Sequence, residues 1–276
     1  MRVFQHFGGA VDQAGWHAVL VHEIEHLARG ERLRPAFDHR VEFLLVGAAG
    51  TVRGVARILA QFGPAHRLGF GPAGHALGHA VQARHAALAV GGDEAGADAA
   101  VAHCAAAFGG LSILVNNAAF QQHAKSIEDV SDQQLEETMK TNIFGYFYMA
   151  RAAVPHLQRG GSIINSGSVV GLRGSGELLD YSATKGAIHA FTMSLASSLI
   201  DKGIRVNCVA PGPVWTPLNP ADRDAESIAQ FGKRTDMKRP AQPEELSPAY
   251  VFLASPCCAS YITGIVLPVT GSVAGS

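Results

Sequence analysis

The pattern of apolar and polar positions changes near Asp93. From there on, short apolar runs alternate with longer amphipathic stretches. The apolar runs predict buried parallel strands, and they cover residues 111–117, 161–168, 203–210 and 262–269. The amphipathic stretches predict helices, and they cover residues 94–107, 132–157 (with Ser131 as the N-cap), 181–200 and 243–255. Strands and helices that alternate in this way predict an α/β fold with a doubly wound parallel sheet and helices on both faces.

The first third of the chain has no such regularity. Nine of the thirteen histidines precede residue 92, and the first lysine is Lys125. Glycine and proline interrupt any long helical or alternating pattern in this stretch. We therefore predict two regions, an atypical N-terminal region at 1–92 and a regularly patterned part at 93–276.

The overall charge and the cysteines limit the classes of partner. The formal net charge is -1, from 22 basic and 23 acidic side chains, so no global field draws the protein to nucleic acid or to an anionic membrane. No run of eighteen apolar residues occurs, and the N-terminal residues lack a basic stretch followed by an uninterrupted apolar run, so we expect no secretory leader. Cys104, Cys208, Cys257 and Cys258 form no C-x-x-C pair, which favours buried free thiols. These features predict a soluble cytoplasmic protein with a small-molecule partner.

A possible zinc motif lies in the irregular region. His22, Glu23 and His26 have the spacing H-E-x-x-H, which on a helix places two imidazoles on one face beside a carboxylate. A zinc peptidase also needs a third protein ligand, and the sequence identifies none. In a stretch so rich in histidine the motif can arise by accident, so a peptidase stays a remote alternative and we expect no bound metal.

Polar residues close the predicted strands at one edge of the sheet. Ligands of open parallel sheets bind outside the carboxyl ends of the strands, so these residues are candidates for a site. They are Asn116 and Asn117 after the first run, Ser166 and Ser168 after the second, and Pro211 and Gly212 after the third. We expect them to converge on one cleft.

Tyr181 and Lys185 lie one turn apart at the start of a predicted helix, and hence on one face. A tyrosine phenol titrates near pH ~10, too high for useful proton exchange at neutral pH. A neighbouring ammonium stabilises the phenolate and lowers that pKa. Tyr181 is therefore a candidate general acid/base, and Ser168 can hydrogen-bond a carbonyl or alcohol oxygen held near the phenol.

Five motifs occur together in a fixed order. They are "NNAA" (116–119), "TNIFGYF" (141–147), "SGSVVG" (166–171), "YSATK" (181–185) and "PGPVWT" (211–216). In order and spacing the chain resembles the short-chain dehydrogenase/reductase family over about residues 93–276. The resemblance implies a Rossmann-like fold and an NAD(P)-dependent oxidoreductase, with NADP or NAD as cofactor. Such an enzyme interconverts an alcohol and a ketone or aldehyde by hydride transfer.

The resemblance also implies roles for the residues of the reaction centre. Tyr181 is similar to the catalytic acid/base, and Lys185 to the residue that lowers its pKa and holds the nicotinamide ribose. Ser168 is similar to the hydroxyl that orients the carbonyl. Asn142 is similar to the asparagine that bends a helix and supports a water-borne proton relay to the lysine.

Other positions resemble the family's cofactor-binding residues. Asn116 and the backbone at Ala118 are expected to lie along the cofactor. The turn that binds the nicotinamide carboxamide is matched by Pro211, Gly212, Val214 and Thr216.

The chain departs from the family at the pyrophosphate turn. The family's T-G-x-x-x-G-x-G motif is absent, and the nearest segment is "FLLVGAAGTVRGVARILAQFG" (43–63). Gly47 and Gly50 follow its apolar run, whereas Gly54 falls inside a helical pattern, at a cost of about 1 kcal/mol relative to alanine. The segment is either a degenerate phosphate turn or an unrelated loop.

Two hypotheses account for the irregular first third. One is that residues 1–91 are translated from a shifted reading frame of a GC-rich gene, and the other is a real, divergent first part of the dinucleotide fold. Since cofactor binding depends on this region, a catalytically silent relative with impaired cofactor binding is an alternative to the enzyme.

Assembly and substrate binding can also be predicted. The resemblance implies a homodimer or homotetramer built on the helices that begin near 132 and 181, and the aromatic row Phe144, Tyr146 and Phe147 is expected to be core or subunit interface. The polar segment 213–240, punctuated by proline, predicts a mobile lid over the substrate.

The substrate pocket is expected to be lined by Phe120–His123 and Trp215–Asn219. Their mixed polarity leaves the substrate open.

Overall fold

The computed structural model describes residues 42–47, 84–89, 93–216, 218–219 and 225–273, which contribute to one parallel sheet. Its strands are β1 (Glu42–Gly47), β2 (Arg84–Ala89), β3 (Leu111–Asn116), β4 (Leu157–Ser166), β5 (Arg205–Pro211) and β6 (Val266–Val269). The α-helices are α1 (Glu94–Phe108), α2 (Asp132–Met139), α3 (Gly145–Ala153), α4 (Val170–Arg173), α5 (Leu179–Leu199), α6 (Ala225–Gln230), α7 (Ser247–Ala254) and α8 (Pro256–Ala259). A π-helical turn, Lys140–Phe144, joins α2 to α3, and short 3-10 turns cover Ile127–Asp129 and Pro243–Glu245.

The strand order in the sheet is β2-β1-β3-β4-β5-β6, and the order in which strands are added to the sheet reverses between β1 and β3. From β1 the chain runs first to one side of the sheet and then, at β3, to the other. Val46 pairs with Asn116 across this junction, so both strands end at the same edge. The prediction of a doubly wound parallel sheet is confirmed, and ligands of such sheets bind in the crevice at this reversal point.

Helices cover both faces of the sheet, as expected. One apolar cluster joins α1, α3 and the C-terminal half of α5 to the sheet, and includes Val101, Met149 and Ile163. The second lies under α7 and includes Ile164 and Leu253. Burial of these side chains, at about 1.5–3 kcal/mol each, holds the strand ends in fixed positions.

The ends of α1 follow from local chemistry. The carboxylate of Asp93 accepts a hydrogen bond from the Gly96 amide at 2.7 Å, which caps the N-terminus of the helix. Gly109 ends it in the left-handed conformation, at φ 82°. Ser131 caps α2 in the same way as Asp93 caps α1, which confirms the predicted N-cap.

The prediction of a single helix over 132–157 is wrong. The π turn interrupts it, and the chain leaves the helix at Ala153 and enters β4 at Leu157. Leu157 is buried and pairs with Leu111, so strand pairing wins over the helical pattern of the sequence. A register shift follows in β4, where Gly160 adopts a φ of 93°.

The four cysteines differ in burial. Cys104 and Cys208 are buried free thiols, as expected. Cys257 and Cys258 are exposed, so the expectation of burial is wrong for them. They lie on α8, a four-residue helix whose buried residue is Ala259.

Several predictions fall outside the described residues, namely the H-E-x-x-H segment, Gly50 and Gly54. The apolar run of the segment 43–63 forms β1, and Gly47 is its last residue. The division of the chain at residue 92 stays a prediction. Within the described residues, no helix is long and apolar enough to cross a membrane.

Candidate active site

The strand-end residues gather at one edge, as expected. Asn116 ends β3 and Ser166 ends β4, on adjacent strands of the sheet. Asn116 donates a hydrogen bond from Nδ2 to Asn165 Oδ1 at 3.0 Å. Its own Oδ1 is buried and has no hydrogen-bond partner among the described residues. Asn116 itself pairs with Val46 of β1, at the reversal point of the sheet.

Ser166 makes several of the hydrogen bonds at this edge. Its hydroxyl donates to Asn117 Oδ1 at 2.6 Å and lies 2.7 Å from the hydroxyl of Tyr250 on α7. Its carbonyl oxygen accepts from Lys185 Nζ at 2.7 Å and from Tyr146 at 3.1 Å. One residue thus connects α3, α5 and α7 to the cleft.

Ser168 and Tyr181 are neighbours in the site, and the Ser168 side chain lowers the pKa of the phenol by hydrogen bonding. Ser168 Oγ also accepts from the Val170 amide at 3.3 Å, which turns the chain into α4. Burial raises the pKa of Tyr181 to about 12, and the hydrogen bond with Ser168 lowers it by a smaller amount. The phenol is therefore protonated at neutral pH, and it is a weaker acid than free tyrosine in this structure.

Lys185 lies one turn further along α5 and is 1% exposed. Its Nζ is 5.4 Å from the ring centroid of Tyr181 and 5.8 Å from that of Tyr146. Burial lowers the pKa of Lys185 to about 8. Burial of the phenol has the larger effect on the Tyr181 pKa, and the Lys185 ammonium hydrogen-bonds the Ser166 carbonyl. The lowering of the Tyr181 pKa by Lys185 stays a prediction.

Asn142 lies within the π turn and is fully buried. Its Oδ1 accepts from the Phe120 amide at 2.7 Å, and its Nδ2 donates to the Phe120 carbonyl at 2.9 Å. Nδ2 also donates to Thr184 Oγ1 at 3.0 Å, next to Lys185 in sequence. The asparagine thus joins the helix irregularity to the loop after β3 and to α5, and π turns of this kind often mark functional positions.

The turn after β5 is tightly packed. A Cβ at Gly212 would lie 2.8 Å from the carbonyl oxygen of Thr270, so glycine is needed there. Val214 forms an isolated bridge with Ala241 and is buried. Thr216 accepts a hydrogen bond from Asn219 Nδ2 at 3.0 Å, which closes the turn on itself. The residues expected to hold the carboxamide therefore form one compact turn, and Ala118 lies buried after β3.

The two segments expected to line the pocket meet. Gln121 Nε2 contacts the Leu218 carbonyl oxygen at 3.5 Å. Trp215 is 45% exposed, and its ring centroid lies 6.1 Å from that of Phe231, after α6. The mobility of the lid over 213–240 stays a prediction.

Sequence reasoning missed a buried group beside the site. Asp180, next to Tyr181, accepts hydrogen bonds from Thr138 at 2.6 Å and from Gln134 at 3.2 Å. Gln134 also donates to the Gln122 carbonyl at 3.3 Å. The sequence shows the polar side chains of α2, but it does not show which face of α2 packs against α5. The network could therefore not be predicted from it.

The described part of the chain holds no group of three or more potential metal-ligating side chains placed for an ion. The candidate ligands His22, Glu23 and His26 are outside it.

Curated relatives share much of the sequence. A glucose and ribitol dehydrogenase of Daucus carota is 54% identical over 165 residues, which are 60% of this chain and 56% of that protein. A chloroplastic NADPH-dependent aldehyde reductase of Arabidopsis thaliana is 53% identical over 165 residues, which are 60% and 57% of the two chains. The chain thus spans less than two-thirds of the length of these relatives.

Solved structures share the fold. A short-chain dehydrogenase from Burkholderia cenocepacia in complex with NADP has a TM-score of 0.68 and 28% identity, covering 92% of each chain. A glucose/ribitol dehydrogenase from Brucella melitensis has a TM-score of 0.66 and 27% identity, covering 86% of this chain and 97% of the other. The sequence model of a family described as enoyl-(acyl carrier protein) reductase matches residues 74–273. By this match, and by the motifs that its fold brings together, the chain belongs to the short-chain dehydrogenase/reductase family.

Proposed function

We propose that this protein is an NAD(P)-dependent oxidoreductase that interconverts an alcohol and a ketone or aldehyde. The observation that carries the proposal is the contact of Ser168 with Tyr181, beside the buried cation of Lys185. A protonated phenol next to a hydroxyl and an ammonium is suited to giving a proton to a carbonyl oxygen.

The residues at the reversal point fit a nicotinamide dinucleotide. Asn116 offers a buried acceptor that has no partner within the described part of the chain, at the crevice where open α/β sheets bind such ligands. Asn116, the backbone at Ala118, Lys185 and the turn from Pro211 to Thr216 would hold the cofactor. When bound, the cofactor supplies or accepts the hydride. Relatives named for NADPH and solved with NADP support the same assignment, while Gly47 and Gly50 remain candidates for the phosphate turn.

The chain's own groups divide the proton chemistry among them. Ser168 orients the substrate oxygen by a hydrogen bond, and Tyr181 donates its phenolic proton to that oxygen in the reductive direction. The Lys185 cation stabilises the phenolate that remains. Asn142 fixes the loop after β3 and the start of α5 relative to one another, through Phe120 and Thr184.

Polar hydroxylated compounds are the proposed substrates. The segments proposed to line the pocket carry Gln121, Gln122, His123 and Asn219, whose amide and imidazole groups suit several substrate hydroxyls. Relatives named for glucose, ribitol and aldehydes support a sugar, a polyol or the corresponding aldehyde.

A homodimer or homotetramer is the proposed assembly. Phe144, Phe147 and Met193, from the π turn, α3 and α5, are 45–52% exposed. Large apolar side chains on two neighbouring helices suit a subunit interface. A cytoplasmic location stays a prediction.

Titration of the protein with NADPH and NADH, followed by nicotinamide fluorescence, tests the proposal. We expect saturable binding, and turnover with glucose, ribitol or a short hydroxyaldehyde in a substrate panel. Binding without turnover of any alcohol or carbonyl compound would contradict the proposed reaction. A lack of binding would favour the catalytically silent alternative.

A further inference from the structure

His189 lies on the same face of α5 as the two residues of the proton chemistry. Tyr181, Lys185 and His189 follow one another at intervals of four, so their side chains share one stripe of the helix. His189 is 5% exposed. None of the roles described above uses this imidazole.

The imidazole contacts the segment that carries Ser168. The amides on either side, at Gly167 and Val169, donate to the β5 carbonyls of Val209 and Pro211 at 2.8 Å each. The Ser168 amide points the other way, and its acceptor is His189 Nε2 at 3.5 Å. The segment is thus attached to the sheet on one side and to the imidazole on the other.

The ring also lies against the end of the same segment, at Gly171. Burial lowers the pKa of His189, whereas the Gly171 backbone raises it, as an acceptor of a hydrogen bond from the ring would. The Gly171 amide already donates to the Ser168 carbonyl at 3.0 Å, so the Gly171 carbonyl is the partner of the ring. Since Nε2 is an acceptor, the donor to this carbonyl is Nδ1–H.

The two glycines show how closely the segment fits the ring. A Cβ at Gly167 would collide with His189 Nε2 and would lie 2.6 Å from Cys208 Sγ. A Cβ at Gly171 would lie 2.7 Å from His189 Cε1 and 2.6 Å from the carbonyl carbon of Lys185. Glycine at both positions lets the segment approach the imidazole closely enough for hydrogen bonding.

We propose that His189 is a positioning residue for Ser168, and that it acts as a neutral imidazole with its proton on Nδ1. The inference rests on the proposed oxidoreductase function. By accepting from the Ser168 amide and donating to the Gly171 carbonyl, the ring fixes the backbone from which the Ser168 hydroxyl reaches Tyr181. Burial and the nearby Lys185 cation lower the pKa of His189, which favours the neutral form.

Kinetics of three variants test the role. His189→Leu should lower kcat by at least about 10-fold, because misplacing an orienting group by about 1 Å costs up to about 100-fold. The dissociation constant of NADPH and the KM of the substrate should change less than threefold. His189→Gln offers an amide oxygen to Ser168 and should restore most of the loss. His156→Gln, at an exposed position after α3, is the matched control and should leave all three constants unchanged.

Equal kcat in wild type and His189→Leu would overturn the proposal, as would a His189→Gln variant no better than His189→Leu. A tautomer measurement is independent of turnover. Imidazole ¹⁵N NMR of the wild-type protein should show His189 protonated on Nδ1, whereas protonation on Nε2 would overturn the contact with Ser168. If wild type turns over no substrate, the proposed function fails, while the NMR result still decides whether the imidazole holds the segment.

Discussion

Lys185 Nζ donates a 2.7 Å hydrogen bond to the carbonyl oxygen of Ser166, the last residue of β4. The bond attaches the cation to the sheet rather than to the Tyr181 phenol. The same carbonyl accepts from Tyr146, so the lysine shares its anchor with a buried tyrosine. Proton chemistry at Tyr181 is thus assisted by a charge whose position is set by β4.

Tyr181→Phe removes the proposed proton donor and little else. We expect kcat to fall by about 10²–10⁴-fold, the usual contribution of a general acid, with the dissociation constant of NADPH changed less than threefold. Steady-state kinetics and fluorescence titration measure the two quantities. Tyr148→Phe, on the same type of side chain outside the site, is the control. Retained turnover in Tyr181→Phe would refute the assigned role.

Lys185→Met should stabilise the protein while abolishing activity. Burial lowers the pKa of Lys185 from 10.5 to about 8, so the folded state binds fewer protons than the unfolded state between these values. The free energy of unfolding of wild type should therefore rise across that pH window. At pH 7 we expect the variant to be more stable by about 1–3 kcal/mol, since the Ser166 carbonyl keeps Tyr146 as a donor.

Urea unfolding of wild type and Lys185→Met from pH 7 to pH 10 checks this expectation. The stability difference should shrink as pH rises. Exposed Lys202→Met should show no such trend. A difference that stays constant over this range, or a variant less stable at pH 7, would contradict the burial cost.

Gly171→Ala should push α4 away from α5. The new Cβ would lie 2.6 Å from the backbone carbonyl carbon of Lys185 and 2.8 Å from the Gly186 amide nitrogen, and backbone atoms cannot turn aside as a flexible side chain can. We expect a loss of about 1–3 kcal/mol in the free energy of unfolding, together with reduced turnover.

The matched control for this change is Gly176→Ala, in the loop between the same two helices. A Cβ there would meet nothing within 4 Å, so we expect stability and turnover to stay near wild type. Chemical denaturation and kinetics of both variants compare them. Equal stability of the two variants would show that the close approach of Gly171 to α5 does not constrain the fold.

Phe147→Glu should weaken assembly. Phe147 is 50% exposed and its ring centroid lies 4.1 Å from that of Phe191, so the apolar face continues from α3 to α5. A charge in a buried apolar interface costs several kcal/mol. We therefore expect the dissociation constant of the subunits, measured by sedimentation, to rise at least about 10-fold. Ile127→Glu, at a 66% exposed position in the first 3-10 turn, should leave the sedimentation unchanged. An unchanged assembly in Phe147→Glu would place the interface elsewhere.

Most of β3 to β6 and the stripe of α5 that carries Tyr181 and Lys185 were within reach of the sequence because each depends on local periodicity, whereas β2 was not predicted. Tyr181 and Lys185 were recognisable from their spacing of one helical turn, and the same spacing extends to His189. The imidazole was missed because its partners are backbone groups of another segment, which carry no sequence signal.

The break in the long helix was missed for a different reason. The residues of the π turn, Lys140–Phe144, have no proline or glycine, and the side-chain bonds of Asn142 to Phe120 and Thr184 form only in the folded protein. Likewise, the start of β4 at Leu157 depends on a partner strand 46 residues away in sequence, at Leu111. Long-range pairing of this kind overrides a local helical pattern.

The position of β1 decides how the chain can be divided. β1 lies between β2 and β3, although it belongs to the irregular first third of the sequence. A fragment beginning at Asp93 would keep every proposed proton-transfer residue, yet it would turn β3 into an edge strand with unpaired backbone groups along an apolar run. Such edges recruit strands from other molecules, so the regularly patterned part would aggregate when expressed alone.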